Sequence, residues 1–204
     1  MDNVYFDQVA SSWDSKRRIR RAETLANIIK EEVPDMENKK VLEFGCGTGL
    51  LTFQLYQENA IQIYGYDLSP KMCSIYEKKI ELYEAFYNVH LIKELTEEKD
   101  YDLIYSSMVF HHIINLKEKL EEVIGLLAAG GTFLMIDLDK EDGTFHKNEE
   151  DFHGHNGFGH KEVKTLLQDS GLVNISVKTV YQGTKYINNQ EIPYSLFVAK
   201  GTKR

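Results

Sequence analysis

The chain has little cysteine, no long apolar run and no excess of positive charge. Only 2 of its 204 residues are cysteine, Cys46 and Cys73, and they form no Cys-x-x-Cys pair. This argues against a disulfide framework and gives no sign of a cysteine-based zinc site. No apolar stretch approaches the length of a bilayer span, and Met1-Asp2-Asn3 does not open a signal-peptide pattern. We therefore expect a cytoplasmic protein with no membrane insertion.

The charge balance limits the class of substrate. A formal net charge of −8 argues against nucleic acid, because a phosphate backbone requires a basic face. One basic run, Lys16-Arg17-Arg18 with Arg20 and Arg21, lies near the N-terminus. One interpretation of this run is a solvated helix face. The other is that one or two of the arginines contact a carboxylate or phosphate of the substrate.

Apolar runs typical of strands alternate with helical patterns through the middle of the chain. Two further strands close together near the C-terminus favour an antiparallel pair. The N-terminal residues 1–34 are predicted to be helical, with a break near Ser11-Ser12. The fold class is thus α/β, with a doubly wound, seven-stranded and mostly parallel sheet. The predicted strands are 41–44, 61–66, 89–92, 103–106, 132–136, 173–181 and 195–199, and the later helices are 50–58, 70–86, 116–127 and 160–169.

A glycine-rich turn follows the first strand, in the sequence Glu43-Phe44-Gly45-Cys46-Gly47-Thr48-Gly49. Glycines at alternate positions let a ligand lie against bare backbone. The second strand ends in Asp67, where a carboxylate can hold a ribose diol. The spacing differs from the dinucleotide fingerprint Gly-x-Gly-x-x-Gly, and Glu43 would repel a diphosphate but suits a ligand with an ammonium and a sulfonium.

Four segments in order resemble the class I S-adenosylmethionine-dependent methyltransferases. The glycine turn resembles their first motif, and residues 66–72 resemble the second. Residues 101–112 resemble the fourth motif, and residues 126–132 the helix-to-strand turn after it. The run Phe110-His111-His112-Ile113 is most similar to the quinone C-methyltransferase-like branch, which acts on small molecules. The resemblance implies a Rossmann-like methyltransferase fold that binds S-adenosyl-L-methionine.

This resemblance also implies a single domain, residues 1–204, made of four parts. Residues 1–34 are expected to be a helical lid, residues 38–137 a cofactor-binding core, and residues 138–160 a loop on the substrate side. Residues 161–204 complete the sheet with the terminal helix and strand pair. The lid contains Tyr5, Phe6 and Trp13, which either face the ligands or pack the helices down.

The implied cofactor contacts follow the motifs residue by residue. After the third strand the family usually has an Asp for the adenine amino group, whereas this chain has Lys93-Glu94-Leu95. Either Glu94 substitutes for it, or backbone groups alone hold the adenine. The expected cofactor-binding residues are Glu43, Gly45, Cys46, Gly47, Gly49, Asp67, Leu68, Met72, Glu94, Leu95 and Ser106.

Methyl transfer is an in-line displacement that needs positioning and, for some acceptors, a base. The candidate bases are His111 and His112, which follow the fourth strand, and His153 and His155 in the polar loop. His160, just after them, is a further histidine of this segment. Each of these histidines is also compatible with a structural role. Acidic residues 137–142 with His146 resemble the magnesium site of catechol O-methyltransferases. We interpret them as a solvated acidic loop and predict no metal site.

The sequence therefore predicts a methyltransferase that transfers a methyl group to a small-molecule acceptor. It contains neither an Asn/Asp-Pro-Pro-Tyr motif nor a Pro-Cys dipeptide, which argues against methylation of adenine amino groups or of cytosine C5. The alternative is a non-catalytic module that binds S-adenosylmethionine and acts through a partner. A nicotinamide-dependent oxidoreductase is disfavoured by the glycine spacing and the terminal strand pair. The acceptor and the oligomeric state are not indicated.

Overall fold

The computed structural model describes residues 3–56, 61–83, 86–149, 152–188 and 190–204. The chain begins with helix α1 (Asn3–Val9), a 3₁₀ turn (Ala10–Ser12) and helix α2 (Lys16–Glu32). The predicted break near Ser11-Ser12 is confirmed. Helix α2 begins at a cap, because the Ser15 side chain accepts a hydrogen bond from the Arg18 backbone N–H at 3.4 Å.

Seven strands form one sheet in the order β3-β2-β1-β4-β5-β7-β6. The first five in this order are parallel, and β7 is antiparallel to both of its neighbours. The predicted doubly wound sheet with an antiparallel end is therefore confirmed. The strands are β1 (Lys39–Phe44), β2 (Ile61–Tyr66), β3 (Val89–Leu91), β4 (Tyr101–Ser107), β5 (Leu127–Leu138), β6 (Leu172–Ile187) and β7 (Gln190–Lys203).

Neighbouring β1 and β4 mark the point where the strand order reverses, and ligands of doubly wound sheets bind at the carboxyl ends of such strands. Four further helices connect the strands: α3 (Leu50–Leu55), α4 (Pro70–Leu82), α5 (Leu116–Gly125) and α6 (His160–Asp169). Buried apolar side chains form two main clusters in the described part of the chain, together with a smaller one around Tyr76. No helix among these residues is both long enough and apolar enough to cross a bilayer.

Several predicted boundaries were wrong. The helix predicted over 116–127 ends at Gly125, and β5 begins at Leu127, which pairs with Tyr101. Extra residues on β5 opposite Tyr101–Leu103 and the positive φ of Gly130 (78°) let β5 run through the predicted turn. The two final strands are much longer than predicted, and their pairing extends out to Ile187 and Gln190. The ends predicted for the helices 50–58 and 70–86 involve residues 57–58 and 84–85, which lie outside the described residues.

The polar segment after β5 is more ordered than its composition indicates. Asp137 and Leu138 complete β5 instead of starting a loop. The loop then folds back on itself, because the Lys140 N–H donates to the Phe158 carbonyl and the Phe158 N–H donates to the Leu138 carbonyl. It is joined to the 3₁₀ turn Phe110–His112 by a 2.6 Å hydrogen bond from the His155 N–H to the His111 carbonyl. This contact holds the loop beside the carboxyl end of β4.

Candidate active site

A cavity of about 180 Å³ lies above the carboxyl ends of β1, β2 and β4. Its lining comes from the glycine turn, the ends of β2 and β4, the N-terminal helices, the loop after β5 and the terminal hairpin. The N-terminal residues in it include Tyr5, Phe6 and Trp13, and the loop and hairpin contribute Phe145, His146, Glu149, Lys185 and Tyr194. One continuous cavity therefore joins the predicted cofactor region to the predicted lid.

The three glycines of the turn have different structural roles. A Cβ atom on Gly45 (φ +80°) would lie 2.2 Å from a methyl group of Val109, and one on Gly49 (φ +82°) would lie 2.4 Å from the Phe53 ring. A Cβ atom on Gly47 (φ +53°) would meet only the Trp13 indole nitrogen, at 3.7 Å. Gly45 and Gly49 are thus required by packing and backbone conformation, whereas a Cβ atom on Gly47 would make only ordinary van der Waals contact, with Trp13.

Asp67 is held by the backbone on both carboxylate oxygens. Its Oδ2 accepts from the Gly47 N–H at 2.8 Å, and its Oδ1 accepts from the Ser69 N–H at 2.8 Å. Burial raises the pKa of Asp67, and these two N–H groups oppose that rise by stabilising the carboxylate. Each oxygen keeps lone pairs for further donors, so the fixed carboxylate is suited to the two hydroxyls of a ribose.

Glu43 lies at the end of β1 and is 3% exposed. Its Oε2 accepts from the Tyr105 hydroxyl at 2.8 Å and from the Thr52 hydroxyl. Burial raises the pKa of Glu43 to about 8, and the two hydroxyl groups only partly counteract this. In the free protein the group is therefore mainly protonated at neutral pH, and a cation in the cavity would favour its ionisation.

The other expected cofactor contacts divide into two sets. Cys46, Leu68 and Met72 line the cavity, with Leu68 43% exposed and Met72 buried. The remaining three do not line this cavity, and their assignment stays a prediction. Glu94 closes a capping box with Glu97, Leu95 packs in the core beside β4, and the Ser106 hydroxyl donates to the Phe44 carbonyl at 2.8 Å. Gly49 also lies outside the lining, for the packing reason given above.

His111 is the candidate base with the most specific surroundings. Its Nδ1 lies 2.5 Å from the Asp137 Oδ1, and its backbone N–H donates to Asp137 Oδ2 at 3.2 Å. Both side chains are buried, at 1% and 0% exposed. Because a carboxylate only accepts, the Nδ1 atom carries a proton, and in the neutral form of the ring Nε2 presents a lone pair. That Nε2 atom is buried without a hydrogen-bond partner among the described residues, and His111 lines the cavity.

His112 and His146 lie beside His111 in the lining. Ring centroids are 4.1 Å apart for His111 and His112 and 5.0 Å apart for His111 and His146. Burial, followed by repulsion from the neighbouring His111 ring when that ring is protonated, lowers the pKa of both His112 and His146, so both stay neutral. One nitrogen from each ring lies within 4.8 Å of the others. Zinc–nitrogen bonds of about 2.1 Å place tetrahedral ligand atoms only about 3.4 Å apart, so this set is wider than a formed zinc site.

The other histidines take part in structural contacts. His153 is exposed, and the His155 Nε2 atom donates to the Ile113 carbonyl at 2.9 Å. His160 bonds through Nε2 to Asp139 at 2.7 Å. None of these three lines the cavity. The acidic residues 137–142 do not converge on one point either, since Asp137 is in the strand and Asp139 faces His160.

The partnership of Asp137 with His111 was not predicted from the sequence. An available signal was position: an acid at the carboxyl end of β5 lies next to the segment that follows β4, because the two strands are parallel neighbours. The register that pairs Ser107 with Ile136 brings the two segments together. The contribution of His146, Glu149 and Lys185 to the lining had no local signal, since it depends on how the loop and hairpin fold back.

Hydrogen bonds attach the N-terminal helices to this face of the sheet. The Asp7 carboxylate accepts from the Ser69 hydroxyl at 2.5 Å, at the start of α4. Asp14 accepts from the Thr48 hydroxyl at 2.5 Å and pairs with the Lys79 ammonium at 2.7 Å. These contacts place the Trp13 indole over Gly47, so the aromatic segment covers the glycine turn.

A doubly wound sheet with a glycine turn and a backbone-fixed acid at its switch point defines a nucleoside-binding α/β protein. Residues 16–177 match the family model described as "Methyltransferase domain". The chain belongs to this methyltransferase family.

Three relatives illustrate the similarity. An uncharacterized methyltransferase of Schizosaccharomyces pombe is 30% identical over 155 residues, covering 67% of this chain and 54% of the relative. The malonyl-[acyl-carrier protein] O-methyltransferase of Bacillus cereus is 27% identical over 150 residues, covering 72% and 55%. Phosphoethanolamine N-methyltransferase 2 of Haemonchus contortus, solved in complex with S-adenosyl-L-methionine, superimposes with a TM-score of 0.69 at 16% identity, covering 88% and 52%. The chain spans about half the length of the curated relatives it matches.

Proposed function

We propose that this protein is an S-adenosylmethionine-dependent methyltransferase that methylates a small molecule with His111 as the general base. The observation that carries this proposal is the single cavity that joins Gly47 and Asp67 at one end to the His111–Asp137 pair. Family membership supports the reaction type. The pair favours an enzyme over a non-catalytic cofactor-binding module, because binding alone gives no use for a buried, unpartnered imidazole nitrogen.

The residues at the glycine turn fit an adenosyl ligand. Gly47 presents bare backbone to the cavity, and Asp67 offers two fixed acceptor oxygens for a ribose diol. Leu68 and Met72 supply apolar surface for the adenine. Glu43 lies where an ammonium or sulfonium would restore its negative charge. When bound, the cofactor supplies a methyl group activated by positively charged sulfur.

His111 would act on the acceptor. Its Nε2 atom would take the proton of a hydroxyl or amine as that acceptor atom bonds to the methyl carbon, while the electron pair of the carbon–sulfur bond would leave with sulfur. Asp137 fixes the ring through Nδ1 and stabilises the imidazolium that forms, as carboxylates do in other Asp–His pairs. His112 and His146, kept neutral by burial, add no charge of their own beside the ring.

We further propose that the acceptor is a small molecule and not a nucleic acid, which the negative net charge supports. A cytoplasmic location is supported by the two free cysteines, Cys46 and Cys73. Both proposals concern this chain, which matches only part of the length of its curated relatives.

Transfer of a radiolabelled methyl group from S-adenosylmethionine to a panel of small hydroxyl and amine compounds tests the function. We expect labelled product with some members of the panel and binding of the demethylated cofactor, S-adenosylhomocysteine, by calorimetry. Tight cofactor binding with no product across the panel would instead support the binding module.

Asp137→Asn tests the role of the base. The substitution keeps the size of the side chain but lets its amide donate to His111, which favours the wrong tautomer. We expect the turnover number to fall by about 10²–10⁴-fold with cofactor affinity unchanged. Asp139→Asn is the matched control, since Asp139 bonds His160 outside the cavity. Equal turnover by Asp137→Asn and wild type would contradict the assignment.

A further inference from the structure

Helix α2 brings several positive charges to the cavity. Arg17, Arg18 and Arg21 all line it. Arg18 and Arg21 share one helical face with Ala22 and Leu25, which also line the cavity, at spacings of three, four and seven residues. Arg18 and Arg21 are half-buried, and Arg17 is exposed. Part of the basic run of the sequence therefore forms one wall of the cavity.

These guanidinium groups have no acidic partner among the described residues, where every ion pair within 4.0 Å involves other cations. Each makes one long contact to a neutral oxygen instead. The contacts are from Arg17 to the Thr184 carbonyl at 3.5 Å, from Arg18 to the Trp13 carbonyl at 3.3 Å, and from Arg21 to the Tyr194 hydroxyl at 3.4 Å. Such contacts satisfy single N–H groups. Arg18 also lies over the Trp13 ring, with its Cζ atom 3.9 Å from the ring centroid, but none of these direct partners carries a negative charge.

The acids that line the cavity are already engaged. Glu149 pairs with Lys185 at 3.0 Å, which neutralises the fourth cation of the lining. Asp67 is bound by backbone N–H groups at the glycine turn, and Glu43 is mainly protonated in the free protein. The arginine end of the cavity therefore carries a net positive charge.

This arrangement has a local energetic cost. Burial, followed by the neighbouring charge of Arg21, lowers the pKa of Arg18. The first turn of α2 contains no acidic residue, and cations near a helix N-terminus oppose the helix dipole. Charges that are unfavourable in the empty protein but face a cavity are typical of a binding site for an anion.

We propose that the methyl acceptor carries a carboxylate or phosphate group that binds Arg18 and Arg21, with Arg17 at the rim. This inference rests on the proposed function, because it concerns the acceptor of the same site. Each half-buried guanidinium group can bind two oxygens of such an anion in paired hydrogen bonds. Phe145 and Tyr194 provide apolar surface for the rest of the molecule. The anion is a recognition group, and the atom that accepts the methyl lies towards His111.

Three probes of similar shape test this: benzoate, phenyl phosphate and benzamide, titrated into the protein saturated with S-adenosylhomocysteine. We expect at least one of the two anions to bind at least about tenfold more tightly than neutral benzamide. The tighter of the two anions identifies carboxylate or phosphate as the recognised group. In Arg18→Gln/Arg21→Gln the preference over benzamide should disappear, whereas Arg20→Gln, exposed on the same helix and outside the lining, should keep it.

Equal binding of benzamide and both anions would overturn the proposal, as would a preference that survives in the double variant. Binding of S-adenosylhomocysteine by the double variant shows that it is folded; if it is not, the single variant Arg21→Gln replaces it, with the same expectation of a reduced preference. Repeating the probe titrations without S-adenosylhomocysteine separates the two proposals. An anion preference without cofactor binding would contradict the proposed function alone.

Discussion

Glu43 gives a prediction whose size follows from the structure. Burial raises the pKa of this carboxyl group from 4.5 to about 8. Between these pH values the folded protein holds a proton that the unfolded chain has released, so the free energy of unfolding falls as the pH rises. At about 1.4 kcal/mol for each pH unit, this loss reaches at most about 5 kcal/mol by pH 8 and grows no further above it.

Glu43→Gln removes the titration but keeps the size of the side chain and an acceptor for the Tyr105 and Thr52 hydroxyls. We expect the unfolding free energy of the variant, minus that of the wild type, to increase by several kcal/mol from about pH 5 to pH 8 and then level off. Urea unfolding at constant ionic strength measures it, with the exposed Glu23→Gln as control. If the difference in unfolding free energy were constant over this range, burial would not be the dominant influence on the pKa of Glu43.

The raised pKa of Glu43 also leads us to expect proton release when the cofactor binds. A positively charged sulfur near Glu43 favours the carboxylate, so at pH 7 the wild type should release up to about one proton for each S-adenosylmethionine bound. Calorimetry in two buffers of different ionisation enthalpy measures this number. Glu43→Gln should release almost none, and equal release by both proteins would place the titrating group elsewhere.

Two further substitutions test the glycine turn and its cover. Gly45→Ala forces a side chain into Val109 at a positive φ and should destabilise the protein by about 2–5 kcal/mol in urea unfolding, whereas Gly47→Ala should cost only about 1 kcal/mol. Equal losses would contradict the different roles assigned to the two glycines. Asp14→Ala removes the acceptor of the Thr48 hydroxyl and should cost about 1 kcal/mol and speed proteolysis of the N-terminal helices. Unchanged proteolysis would show that Asp14 does not hold these helices in place.

Elements with a clear local signal at both ends could be predicted from the sequence. Strand β2 and helix α6 have the predicted bounds, because Asp67 follows the apolar run of β2 and Gly171 follows the helix. The long hairpin β6–β7 could not be predicted in full. Polar residues such as Gln182 and Lys185 lie in its outer part, which therefore has no apolar pattern to distinguish it from a loop.

Within the site, too, residues with a local sequence signal could be predicted and the others could not. Gly47 and Asp67 were predicted because each belongs to a contiguous motif, and the structure brings both to the cavity. The pairing of His111 with Asp137 joins positions 26 residues apart and depends on the order of the strands. Similarly, the position of Arg18 in the cavity wall depends on how α2 docks, which the helical pattern does not specify.

Asp67 has the central role in the proposed site, as the acceptor for the ribose of the cofactor. Titration calorimetry with S-adenosylhomocysteine on wild type and Asp67→Ala measures this directly, with the exposed Asp169→Ala as control. We expect Asp67→Ala to weaken binding by about 1–3 kcal/mol, or roughly 5- to 150-fold, while the control binds like wild type. Equal affinity of Asp67→Ala and wild type would contradict the placement of the cofactor at this end of the cavity.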